Sequence, residues 1–86
     1  MSVAEAIARL QDGAERLDEV IAELRGLRER AELANDAIQM AYNDATGNVI
    51  SASINIRNGK GQILDAVAEF ILASHSVKTA IARLQG

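Results

Sequence analysis

The 86-residue sequence has no cysteine, proline or tryptophan, and only one tyrosine, one phenylalanine and one histidine. Lacking cysteine, the chain has no disulfide to staple a small fold, and thiolate zinc sites are excluded; the absence says nothing about redox compartment. Lacking proline, it has nothing that forbids a long uninterrupted helix. There is no run approaching the roughly 20 apolar residues needed to span a bilayer. Nor is there a charged start followed by an apolar core of the signal-peptide kind. The expectation is a cytoplasmic chain with no membrane insertion, the alternative being export without a cleavable signal peptide. Positive charge is also in short supply: 9 Lys and Arg against 12 Asp and Glu give a net charge of -3. The basic residues are scattered, so the clustered cations that neutralise nucleic-acid phosphates are missing and no nucleic-acid partner is expected.

A chain of this size buries only about 60 per cent of the surface exposed when unfolded, so alone it is marginally stable. With covalent and metallic staples missing, association with another chain is the reinforcement left.

What is present is helix-forming. Ser2 followed three residues later by Glu5 makes a capping box and starts a helix at about Val3. From there a four-three alternation runs through Val3, Ile7, Leu10, Ala14, Leu17, Ile21, Leu24, Arg28, Ala31, Asn35, Ile38, Tyr42 and Ala45, the period of a coiled-coil seam. The opposite face carries charges, with Glu5 and Arg9, and Asp12 and Arg16, at the supportive i,i+4 spacing. Gly13 and Gly26 leave the apolar phase unshifted, so the helix is read through them to about residue 45. Thr46-Gly47-Asn48 supplies the turn, since Gly is favoured just past a helix end. Tyr42 suits a turn-packing role, its ring buried and its hydroxyl wet.

The second half repeats the alternation through Val49, Ser53, Ile56, Lys60, Ile63, Val67, Phe70, Ser74, Val77, Ile81 and Leu84, predicting a helix over about 49–85. Asn58-Gly59-Lys60-Gly61 is its weak point. It allows a kink at 58–61, a helix end, or a tight β-turn after the alternating Ile50, Ala52, Ile54 and Ile56. A lone two-stranded hairpin is marginal, so the helical reading is preferred.

Charge is uneven: residues 1–36 hold fourteen Asp, Glu, Lys and Arg, and residues 37–86 hold seven. The second helix is thus poorly equipped to face water on all sides. Ile50, Ile54, Leu64 and Ile71 widen its apolar stripe and, with Phe70, Val77 and Ile81, form the candidate interface. The expected architecture is a single all-α domain over residues 1–86, an antiparallel hairpin of two long amphipathic helices that dimerises into a four-helix bundle. Polar residues at seam positions lower stability while fixing register, which marks Arg28 and Asn35 as candidate specificity residues; a seam that drifts out of contact there is the other reading.

No constellation supports catalysis, and no enzyme activity or cofactor is expected. Ser74, His75 and Ser76 are neighbours in sequence and point in different directions on a helix, with no carboxylate three or four residues away to orient the imidazole. Glu15, Glu19 and Glu23 stack along one helix without the Glu-x-x-His partner of a di-iron bundle, and read as solvated surface. Asn58-Gly59-Lys60-Gly61 lacks phosphate-loop spacing.

Two long helices joined near the midpoint by Tyr42-Asn43-Asp44-Ala45-Thr46-Gly47 resemble, over the full chain, the Trp-x-Gly helical-hairpin proteins associated with type VII secretion. The likeness is architectural. An aromatic residue and a glycine occupy the turn, but there is no Trp, and no Tyr follows residue 42 to provide that family's export signal. The resemblance implies a homodimeric or heterodimeric bundle, formed with itself or a related helical protein, that serves as a small secretion partner or targeting module. The alternative expectation is a structural scaffold in which the same faces propagate a filament.

Overall fold

The computed structural model describes residues 1–40 and 47–86, which form two helices, α1 (Val3–Met40) and α2 (Gly47–Gln85). There is no strand among the described residues. The helices have 38 and 39 residues, about 57–59 Å each at 1.5 Å per residue. They lie side by side in a rod of 64 × 17 × 14 Å.

Local chemistry accounts for the helix starts. The Glu5 backbone N–H donates to Ser2 Oγ at 3.1 Å, so the hydroxyl half of the capping box is formed and α1 begins at Val3. α2 begins at Gly47, two residues ahead of the expected start. Gly47 and Asn48, read from sequence as turn, are therefore corrected to the first turn of the helix. Gly47 has no positive φ, so it is not the left-handed residue that closes a helix end, and Gly is well tolerated around a helix start. Residues 41–46, which include Tyr42 and Thr46, lie outside the described residues. At the far end, Arg83 sits in the last turn of α2, where a cation meets the negative end of the helix dipole.

Asn58-Gly59-Lys60-Gly61 is helical throughout, inside an unbroken α2. Tertiary contact overrides the weak local propensity there. Lys60 occupies a seam position with its side chain only 19% exposed, and its ammonium reaches out to the Glu32 carboxylate on α1. One heptad further along, Gln39 Nε2 donates to Ser53 Oγ. Glu32 and Gln39 are seven residues apart on α1, and Ser53 and Lys60 seven apart on α2 in the opposite order, so one antiparallel register satisfies both pairs. Carried back by heptads, this register sets Arg25 at the level of Val67 and Asp18 at that of Ser74, each one residue past the seam positions Leu24 and Leu17.

The core follows the four-three alternation. Ala14, Ile21, Val67 and Ser74 are buried, all at seam positions. Ile7, Leu10, Leu17, Leu24, Ala31, Asn35 and Ile38 of α1 are half-buried, as are Val49, Ser53, Ile56, Ile63, Phe70, Val77 and Ile81 of α2. Only Val3, Arg28 and Leu84 of the described seam stay exposed, the first and last at the helix ends. The core is thin. No large side chain among the described residues is fully buried, because each helix has one neighbour and a single helix can cover only part of another.

Candidate interaction surface

Heptad geometry fixes which residues flank the seam. On α2 the flank reached one residue after each seam position carries Ile50, Ile54, Arg57, Gly61, Leu64, Ala68 and Ile71. Ile50, Ile54, Leu64 and Ile71 are 44–52% exposed although the hairpin has formed. The other three candidate interface residues sit differently: Phe70, Val77 and Ile81 occupy the seam itself and are half-buried. The strip left over is therefore Ile50, Ile54, Leu64 and Ile71, with Ala68 and Gly61 between them.

The corresponding flank of α1 lies on the same side of the hairpin, since two antiparallel helices that face each other present equivalent flanks to the same side. It is charged. Arg25, Arg28 and Glu29 line one wall of an open groove of about 500 Å³ whose other wall is Leu64, Ala68 and Ile71. Arg28 is exposed and turned to this groove, so the seam does open at that residue. Asn35 stays half-buried, and its Oδ1 is shielded from solvent with no hydrogen-bond partner. An unpaired amide oxygen in a seam costs on the order of 1–3 kcal/mol. Among the described residues the polar pairs that cross between helices are Lys60–Glu32 and Gln39–Ser53. Lys60 and Ser53 were legible as seam members, but their α1 mates, Glu32 and Gln39, flank the seam and become visible only once the register is known.

Outside this face Leu33 and Leu72 are exposed on the backs of the helices, among polar side chains. Arg16 Nε donates to Asp12 Oδ2 at 2.9 Å, and that hydrogen bond, followed by the charge of Asp12, holds the fully exposed guanidinium pKa above its usual value. Glu15, Glu19 and Glu23 are exposed, and no group of three or more His, Cys, Asp or Glu among the described residues is placed to hold a metal ion. Ser74 is buried while His75 and Ser76 are exposed, so the three do not converge on one point. Thr79 Oγ1 donates to the His75 carbonyl at 2.9 Å, a bond within the helix. No described helix is long and apolar enough to cross a membrane. Comparisons with protein-family models, with curated proteins and with solved structures find no match to this chain.

Proposed function

We propose that this protein is an interaction module, not an enzyme, and that the exposed flank of α2 docks on another helical hairpin to close a four-helix bundle. The observation that carries this reading is the strip of Ile50, Ile54, Leu64 and Ile71, large apolar side chains about half exposed after α1 and α2 have packed. A hairpin with so thin a core and no staple gains stability by covering such a strip. The partner is a copy of the chain or a related helical protein. The architectural likeness to type VII secretion hairpins suggests the biological setting, a small secretion partner or targeting protein. Light scattering coupled to size exclusion tests the reading: a defined dimer, or a one-to-one complex with a helical partner, is expected. A folded monomer persisting at tens of micromolar, with no such complex, would overturn it.

A second reading is favoured by Leu33 and Leu72, 67% and 60% exposed on the outward backs of α1 and α2. Two apolar surfaces facing different ways suit a scaffold that propagates by open contacts. Species that keep growing with concentration, in place of a closed dimer, would mark that outcome.

A further inference from the structure

Asn58-Gly59 is the one place in the chain where glycine follows asparagine. That dipeptide carries a reaction of its own. The backbone nitrogen of the glycine, unhindered by a side chain, attacks the side-chain carbonyl carbon of the asparagine. A carbon–nitrogen bond forms, ammonia leaves, and a succinimide ring closes. Water then opens the ring at either carbonyl, giving aspartate or isoaspartate. Water is taken up and ammonia released, with no oxidant, reductant or metal. Asn48 and Asn55 are followed by Val49 and Ile56, whose branched side chains crowd the attacking nitrogen. Asp12-Gly13 has an equally open glycine, but its carboxylate is held by Arg16 and has no ammonia to release.

The fold decides when this chemistry can run. Asn58 is exposed, and a Cβ built on Gly59 meets nothing within 4 Å, so side-chain packing locks neither residue. Helix geometry does the shielding instead. Within unbroken α2 the Gly59 N–H is donated to the Asn55 carbonyl, and the helical ψ of Asn58 turns that nitrogen away from its own side-chain carbon. Attack therefore requires a local loss of helix.

Propensity alone favours that loss, since Gly59 and Gly61 are poorer helix formers than any residue but proline. Contact with α1 opposes it. Ser53 accepts from Gln39 on one side of Asn58-Gly59, and Lys60 meets Glu32 on the other. Among the described residues these are the polar pairs that cross between the helices, and the dipeptide lies between them. Ile56 and Ile63, half-buried in the seam, add apolar contact on the same two sides.

We infer that Asn58 is a site of spontaneous covalent modification gated by opening of the middle of α2, with the Lys60–Glu32 and Gln39–Ser53 pairs as the latch. The site is independent of what covers the flank of α2. Its two products act differently on the helix. Aspartate adds a negative charge at an exposed position and keeps the backbone. Isoaspartate routes the backbone through the former side chain, and the added methylene shifts every later residue of α2 out of phase with the seam. A hairpin that has opened and reacted this way cannot re-form the same seam, so the modification is a one-way mark of opening.

The test keeps the full chain in mildly alkaline buffer, folded or unfolded in urea, and follows residue 58 by peptide mapping that separates asparagine, aspartate and isoaspartate. The folded chain is expected to convert at least about tenfold more slowly than the unfolded one, which corresponds to an opening cost of about 1.4 kcal/mol or more. Glu32→Ala leaves the Lys60 ammonium in the seam without its mate, and Gln39→Ala removes the donor to Ser53; each is expected to speed conversion in the folded chain several-fold. Ile7→Val, in the seam at the far end of the rod, is expected to change the rate by less than about twofold. Circular dichroism on each variant verifies that helicity is kept. Gly59→Ala is expected to suppress the reaction in both states, which ties it to this dipeptide. Equal rates in the folded and unfolded chains would overturn the gating. No acceleration by Glu32→Ala or Gln39→Ala, or the same acceleration by Ile7→Val, would overturn the latch and leave global unfolding as the route. Faster conversion at another asparagine of the unfolded chain would overturn the choice of site. The purified isoaspartate form is expected to lose helicity that Asn58→Asp retains; equal helicity in the two would contradict the effect on α2.

Discussion

At the scale of single residues, the side chains that most constrain the hairpin are polar ones in or beside an apolar seam. Lys60 is the clearest case. Its stem is covered and its ammonium pairs with Glu32, which is itself half-exposed, so the pair sets register more than it adds stability. Lys60→Leu is therefore expected to raise the free energy of unfolding by about 1 kcal/mol in a denaturant titration, since it buries apolar surface and leaves Glu32 in contact with water. A loss of more than about 1 kcal/mol would mean that the ion pair holds the helices together. Ser2 is a second case: Ser2→Ala removes the acceptor for the Glu5 N–H and is expected to cost about 1 kcal/mol, visible as faster amide exchange confined to the first turn of α1. Uniform acceleration along α1 would contradict a purely local cap. The Ser2 cap was legible from the four residues Ser2 to Glu5 because capping is a local rule. The mates of Lys60 and Ser53 were not, because which flanking residue a seam side chain reaches depends on a register that no local pattern specifies.

At the scale of helices, the four-three alternation identified the buried face of both arms: apart from Arg28 and the two terminal positions, every described seam residue is buried or half-buried. Periodicity reports the buried face reliably because covering that face is what drives the two helices together. The Asn58-Gly59-Lys60-Gly61 stretch is where local signals and packing disagree. Two glycines within three residues weaken a free helix, but a 39-residue element held against a partner of equal length continues through them. Glycine at these positions still carries its entropic cost. Gly26→Ala and Gly59→Ala, where an added methyl meets nothing within 4 Å, are each expected to stabilise the fold by up to about 1 kcal/mol in thermal unfolding. Destabilisation by Gly59→Ala would point to a neighbour approaching from outside the hairpin on that side. The seam itself is most sensitive where it is tightest: Ile21→Ala or Val67→Ala is expected to cost roughly 2–4 kcal/mol, a large share of the stability of so small a chain.

At the scale of the whole molecule, the radius of gyration of 19.3 Å contrasts with the roughly 12 Å of a compact 86-residue domain. A rod of two helices has no interior of its own beyond one seam, and here four large apolar side chains line one flank of α2 beside a charged flank of α1, while Leu33 and Leu72 stand exposed on the backs of the helices. The scarcity of charge after residue 36 already signalled that asymmetry, but the sequence pattern did not separate the residues that pack within the hairpin, Phe70, Val77 and Ile81, from those left outside it, Ile50, Ile54, Leu64 and Ile71. Both sets lie in one broad apolar stripe, and only the placement of α1 divides it. The central claim is that this remaining surface is covered by another chain and that the fold depends on the covering. Thermal unfolding followed by circular dichroism, over a concentration range from about one to a few hundred micromolar, tests it most directly. If the claim holds, the midpoint rises steadily with concentration, as mass action requires when folding and association are linked. A midpoint independent of concentration, with monomeric mass throughout, would contradict it.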